Sequence, residues 1–150
     1  MADLTLKIVD YATAMADIQF VRAAVFQIEQ GVAAELDFDG QDDRAQHLVA
    51  YLDQQPIGTA RIRFLTNQLA KIERVAVLAA YRGQGIGQKM MLAIMDYLDQ
   101  QNVAESKIHA QRYVISFYSR LGFKSQGDEF YEAGIPHIEM RRIHPNQRES

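Results

Sequence analysis

An apolar run at Val75-Ala-Val77 leads through a short connection into Arg82-Gly-Gln-Gly-Ile-Gly87, and a helical period begins directly behind it. Three glycines in five positions, followed by Ile86, Met90, Ile94 and Leu98 at four-residue spacing with Met91 and Met95 beside them, commit this stretch to a strand, a tight turn and a helix from about Gly85 to Gln101. Such a turn aims backbone N–H groups and the positive end of a helix dipole at one point, which is how proteins hold phosphate. Arg82 adds a fixed cation. The plain structural alternative is a glycine-rich turn that only starts a helix.

Spacing excludes one nucleotide loop and weakens another. A Walker loop needs Ser or Thr after its Gly-Lys to hold magnesium, but Lys89 follows Gln88 and precedes Met90, so that loop is absent. A dinucleotide fingerprint places its third glycine three residues after the second, whereas Gly87 follows Gly85 by two and lies behind several strands in mid-chain.

Those strands are legible from their period. Leu4, Leu6 and Ile8 alternate with polar neighbours as a first strand, and Met15, Ile18, Val21, Val25 and Ile28 form one stripe of a helix ending near Gly31. His47–Leu52 and Ile57–Phe64 read as a hairpin through Asp53–Pro56, with Leu69–Leu78 as a third antiparallel strand. Ser106–Gln111 is a strand, Val114–Leu121 a short helix capped at Gly122, and Phe123–Gln126 and His137–Ile143 close the pattern. Strands grouped before the first long βαβ segment predict an α/β chain with a mixed, mostly antiparallel sheet of six to seven strands and helices on both faces. The 150 residues suit one domain, with a core of about 4–143 and a frayed polar tail, 144–150.

Composition narrows the chemistry. With no cysteine there is neither a disulfide framework, a Cys-ligated metal nor a thiol nucleophile. A formal charge of −3 disfavours nucleic acid, and no run is long enough to span a bilayer. The N-terminal residues do not form a signal peptide, so a cytoplasmic location is expected. Glu35–Asp43 carries five acids in nine positions and reads as a solvated loop that could attract cations. Its likeness to a calcium loop fails at Gln46, where a bidentate glutamate is required. No histidine has zinc-motif spacing, and no metal is expected.

The glycine segment has a closer match. Arg82-Gly-Gln-Gly85-Ile-Gly87 resembles the acetyl-CoA signature of the GCN5-related N-acetyltransferases (GNAT), and Phe117-Tyr-Ser-Arg-Leu-Gly-Phe123 resembles a second motif of that family. Val25–Gly31, the aspartate-rich loop before His47, and Gly134-Ile-Pro-His137 are similar to a small bacterial subgroup typified by the ElaA and YjcF proteins. The likeness runs from about residue 5 to 143. It implies acetyl-CoA as co-substrate, a small-molecule or peptide amine as acceptor, and a splayed strand pair that receives the pantetheine arm. On this chain it implies cofactor contacts from Val75, Ala76 and Val77, with the Val77 N–H facing the thioester oxygen. Arg82, Gly83, Gln84, Gly85, Ile86 and Gly87 would hold the pyrophosphate, with Gln111 and Phe117 as further contacts. Sheet edges in this fold often pair, so a homodimer is also expected. The alternative function is a non-catalytic acyl-CoA-binding domain.

Acetyl transfer to an amine needs a proton acceptor for the ammonium and a donor for the departing thiolate. Tyr118 matches the family tyrosine that donates. Glu73 is the candidate base, because it shares strand parity with Val75 and Val77 and lies on the strand where family bases commonly sit; pairing with Arg74 or Lys71 is its structural alternative. His47, His109 and His137 are other acceptors of suitable chemistry, His109 having no evident partner. Arg22 and Glu29, seven apart on the first helix, would share a face bordering the acceptor. His47 and His109 are assigned to the same acceptor group.

Overall fold

The structure, a computed structural model, describes residues 3–145. Seven strands, β1 (Leu4–Asp10), β2 (Gln46–Leu52), β3 (Gln55–Thr66), β4 (Leu69–Val77), β5 (Glu105–Gln111), β6 (Lys124–Glu132) and β7 (Ile135–Ile143), are hydrogen-bonded in the order β1-β2-β3-β4-β5-β7-β6. β4 and β5 are parallel, while β1–β2, β2–β3, β5–β7 and β6–β7 are antiparallel. Helices are α1 (Tyr11–Arg22), α2 (Ala34–Asp37), α3 (Ile86–Gln100) and α4 (Ile115–Arg120). This is the mixed α/β sheet expected from the strand pattern. The chain forms two compact units, the first running to Arg63 and resuming over Arg74–Met95, the second comprising Phe64–Glu73 and the chain from Asp96.

In the first unit, β2 and β3 are joined by Asp53 and Gln54, both left-handed (φ 48° and 72°), as a two-residue hairpin turn requires. A register shift at Ala50/Tyr51 lets Pro56 stand opposite Tyr51, which accommodates a residue with no N–H to donate. The first helix departs from expectation. It continues past Arg22 as a π-helix over Ala23–Glu29, so each residue advances less about the axis than an α-helix's roughly 100°. Ile18, Val21 and Val25 are buried, but Met15 and Ile28 are 43% and 82% exposed. The widened segment carries Ile28 off the stripe. It also separates Arg22, which is fully buried, from Glu29, so the seven-residue spacing does not place them on one face.

The acidic loop is likewise not solvated along its length. Asp37 and Asp42 are buried because three arginines draw them inward. Arg22 meets Asp37 at 3.3 Å and Asp42 at 2.6 Å. Arg61 bridges Asp42 at 3.0 Å and Asp39 at 2.8 Å, and Arg74 reaches Asp37 at 3.0 Å. Arg61 holds Asp39 far below the usual carboxylate range. Burial pushes Asp42 upward, but Arg22 and Arg61 outweigh it and hold it low. With Asp37, Asp39 and Asp42 neutralised from inside, the loop's field toward a cationic ligand is reduced, and its exposed acids Glu35 and Asp43 carry what is left.

The second unit extends the core beyond residue 143. His144 is fully buried, with Nε2 2.9 Å from Ser106 Oγ and Nδ1 3.0 Å from Asp99 Oδ1. The order Ser-His-Asp is that of a nucleophilic triad, but Ser106 is also fully buried, so the group anchors the end of β7. The rest of the expected polar tail, 146–150, lies outside the described residues. After α4, the Phe123 N–H donates to Tyr118 O and the Gly122 N–H to Ser119 O, both at 3.1 Å, with Gly122 at φ 95°. This double closure of the helix end demands a left-handed residue and brings Phe123 against Tyr118, ring centroids 5.9 Å apart.

Candidate active site

The first unit contains the glycine segment. β4 ends at Val77, a single turn of Ala79–Tyr81 follows, and α3 begins at Ile86. Gly83 and Gly85 are left-handed (φ 76° and 80°), and a Cβ at either would meet nothing within 4 Å. Their glycine requirement is therefore conformational, and the backbone lies open on its outer side. The Lys89 N–H donates to Gly85 O at 3.1 Å, making Gly85 the cap of α3 and leaving the first-turn N–H groups of Ile86, Gly87 and Gln88 without intrahelical acceptors. Gln84 is exposed and Ile86 buried, so Ile86 contributes backbone and anchors the helix.

Arg82 stands before this loop. Its Nε donates to Val77 O at 2.9 Å, and its two terminal nitrogens clasp the Glu29 carboxylate at 2.5 and 2.6 Å. Those hydrogen bonds hold Glu29 below the ordinary glutamate range. The pairing was not visible in the sequence, where 53 positions separate the partners. Val75 and Val77 are half-buried, while Ala76 packs with Val21 and Val25. Close approach is also built in at Gly58, where a Cβ would stand 2.8 Å from Met90 Sδ and 3.2 Å from Ala76 O.

The remaining residues proposed for acceptor contacts in this unit are internal. Arg22 is enclosed by the aspartates already described. His47 is buried, its Nε2 3.0 Å from Asp42 O and its Nδ1 without a partner. Burial pushes its pKa down, which keeps the ring neutral.

In the second unit Tyr118 is buried between Phe117, 5.0 Å away by ring centroids, and Phe123. Burial raises its pKa well above the ordinary phenol value, so the hydroxyl keeps its proton. Gln111 ends β5 and is half-buried. Glu73 pairs with Lys71 at 3.3 Å, whereas Arg74 turns to Asp37 and Asp39. Arg74 is left-handed (φ 55°) and interrupts the alternation between Glu73 and Val75. Shared parity across it therefore says nothing about a shared face. β4 and β5 are in parallel register from Leu69 opposite Glu105 to Ile72 opposite Ile108.

His109 does have a partner. Its Nδ1 is 2.7 Å from Glu132 Oε2 and its Nε2 3.5 Å from Glu139 Oε1. Glu132 escaped sequence reading because its link to His109 depends on β6 folding back along β7. Among the described residues, no group of three or more His, Asp and Glu side chains could hold a metal ion, and no helix is long and apolar enough to cross a membrane.

Residues 13–143 match the acetyltransferase (GNAT) domain family. The uncharacterized N-acetyltransferase YjcF of Bacillus subtilis is 32% identical over 127 residues, covering 84% of this chain and 90% of YjcF. The crystal structure of Escherichia coli ElaA superposes with a TM-score of 0.81 at 26% identity, over 92% of this chain and 99% of ElaA. A GNAT family acetyltransferase of Elizabethkingia anophelis with acetyl-CoA bound shares the fold, with a TM-score of 0.68 at 15% identity over 93% and 97% of the two chains. The strand, left-handed glycine turn and capped helix thus lie inside a domain that matches its family along nearly the whole chain, and the protein belongs to the GCN5-related N-acetyltransferases.

Proposed function

We propose that this N-acetyltransferase moves an acetyl group directly from acetyl-CoA to a primary amine. The observation that carries this reading is the open, left-handed Gly83–Gly85 backbone at the head of α3, with Arg82 before it. It offers N–H donors and a cation to a diphosphate without side chains in the way. Val75 and Val77 supply backbone groups to the pantetheine arm, and the Val77 N–H stabilises charge on the thioester oxygen. Gln111 and Phe117 are further cofactor contacts that the family resemblance implies. The acceptor is a small-molecule or peptide amine.

The proton chemistry belongs to Glu73 and Tyr118. Glu73 takes a proton from the ammonium, directly or through water, with Lys71 holding its carboxylate in place. Tyr118 donates toward the departing sulfur; because its phenolate is disfavoured, it acts as a hydrogen-bond donor that gives up its proton only as the thiolate forms. With no cysteine in the chain, direct attack by the amine is favoured over an acetyl-enzyme. A thiol-release assay with acetyl-CoA and a panel of primary amines tests the reading: at least one amine should raise release well above background hydrolysis. No stimulation by any amine, with CoA still bound, would leave a binding module.

Glu29 competes for the same cation. A carboxylate clasped by Arg82 must be displaced before a diphosphate takes its place, and an exposed pair of this kind is worth up to about 1 kcal/mol. Glu29→Gln should therefore tighten CoA up to about fivefold by isothermal titration, less in high salt. Unchanged or weaker binding would show that Glu29 does not oppose the coenzyme.

A further inference from the structure

On the second unit, β5, β7 and the end of β6 gather titratable groups that the reaction above does not use. His109 of β5 stands opposite Glu139 of β7 in register. The turn Ala133–Gly134, with both residues left-handed (φ 52° and 75°), folds the strand back so that Glu132 pairs with Ile135. That reversal presents the Glu132 carboxylate to His109 Nδ1 at 2.7 Å. Phe130 meets the His109 ring edge-on at 4.9 Å between centroids and stacks on His137 at 6.1 Å, limiting how far the imidazole can turn.

We propose that His109 takes the ammonium proton on Nε2 and that Glu132 is the positioning residue that fixes its tautomer. This rests on the acetyl-transfer reading and adds a proton acceptor one strand over from β4. Since Ile72 pairs with Ile108, the next residues along the two parallel strands are Glu73 and His109.

The physical argument begins with the carboxylate. An ionised Glu132 can only accept, so in the neutral ring Nδ1 carries the hydrogen and Nε2 the lone pair. His109 in turn holds Glu132 below the ordinary glutamate range, which keeps it ionised. A proton arriving on Nε2 then has the Glu139 carboxylate 3.5 Å away to stabilise the imidazolium. Glu139 itself is steadied by Arg141 at 2.8 Å and Lys107 at 3.7 Å. The other charged groups facing this cluster are His137, whose Nε2 is 3.9 Å from Glu132 and whose Nδ1–H donates to Ile135 O at 2.7 Å, and Lys71 of β4, which acts on Glu132. Protons balance. An ammonium carries three hydrogens on nitrogen and the amide product one, so two leave: His109 takes the first and passes it to solvent, freeing the amine, and Glu73 takes the second as the C–N bond forms. Tyr118 protonates the thiolate as the C–S bond breaks, and the proton held by Glu73 restores the phenol, directly or through water.

Glu132 is at an exposed hairpin end, so Glu132→Gln should fold. In that variant kcat/KM for the amine is expected to drop about tenfold with the KM for acetyl-CoA unchanged, and Glu132→Asp should restore most of it. Independently, the imidazole nitrogen NMR spectrum of the substrate-free protein should show His109 with hydrogen on Nδ1, becoming a mixture or reversing in Glu132→Gln. An unchanged kcat/KM in Glu132→Gln, or hydrogen on Nε2 in the parent protein, overturns the proposal. Absence of any amine-dependent thiol release by the parent protein overturns the acetyl-transfer reading instead, while the tautomer measurement still tests the Glu132–His109 pairing.

Discussion

Arg22→Ala is expected to destabilise the protein by about 3 kcal/mol or slightly more, a large share of the 5–15 kcal/mol typical of a domain. The guanidinium is fully buried and its loss leaves two buried carboxylates short of a cation, for which the usual cost is 3–5 kcal/mol. The lower end applies because Asp37 keeps Arg74 and Asp42 keeps Arg61. The stack of Arg22 on Phe38, 4.8 Å from its centroid, is lost as well. Urea unfolding should show a lower midpoint with an unchanged slope. A midpoint within experimental error of the parent would mean that the arginine contributes nothing net.

The same network sets the response to acid. Asp39 and Asp42 have folded-state pKa values below their ordinary 3.8, so the stability they contribute is present above that pH and is lost as pH falls toward the depressed values. His47 and His144 act earlier. Both are held below 6.5, by burial first, so the unfolded chain binds protons more readily below that pH and stability starts to decline there. Thermal midpoints measured downward from neutrality should therefore fall in two stages, gently below about pH 6.5 and steeply below about pH 4.

The second large effect concerns catalysis. Tyr118→Phe should lower kcat by about 10²-fold or more, the usual contribution of a positioned acid, while changing stability little. The ring contacts with Phe117 and Phe123 do not need the hydroxyl. Burial raises the phenol's pKa, so any alkaline limb below about pH 10 belongs to another group and should persist in the variant. An unaltered turnover number would assign Tyr118 to the core alone.

Much of this was readable along the chain. The left-handed positions Gly31, Gly83, Gly85 and Gly122 announce themselves, because few other residues tolerate that conformation. The buried face Ile86, Met90, Met91, Ile94, Met95 and Leu98 follows from the helical period alone. Three misreadings have physical origins. Ile28 was lost to a π-helix that no local pattern signals, the aspartates of Glu35–Asp43 were read without the arginines that bury them, and His109 was read without Glu132. For the aspartates and His109 the deciding partner lies 15 or more positions away; for Ile28 the decisive shift is local but leaves no mark in the apolar spacing.

The sequence by itself determined what is set by short-range sterics and period: the strand, glycine turn and helix of the phosphate loop, the cap that seats Tyr118, and the absence of a thiol for covalent transfer. Only the tertiary structure decided which charges meet. Glu29 on Arg82, Asp37 and Asp42 on Arg22, and Glu132 on His109 join residues 15 to 53 positions apart. A charged side chain can pair with any opposite partner the fold brings within a few ångströms, and its own chain neighbourhood carries no mark of which one that will be.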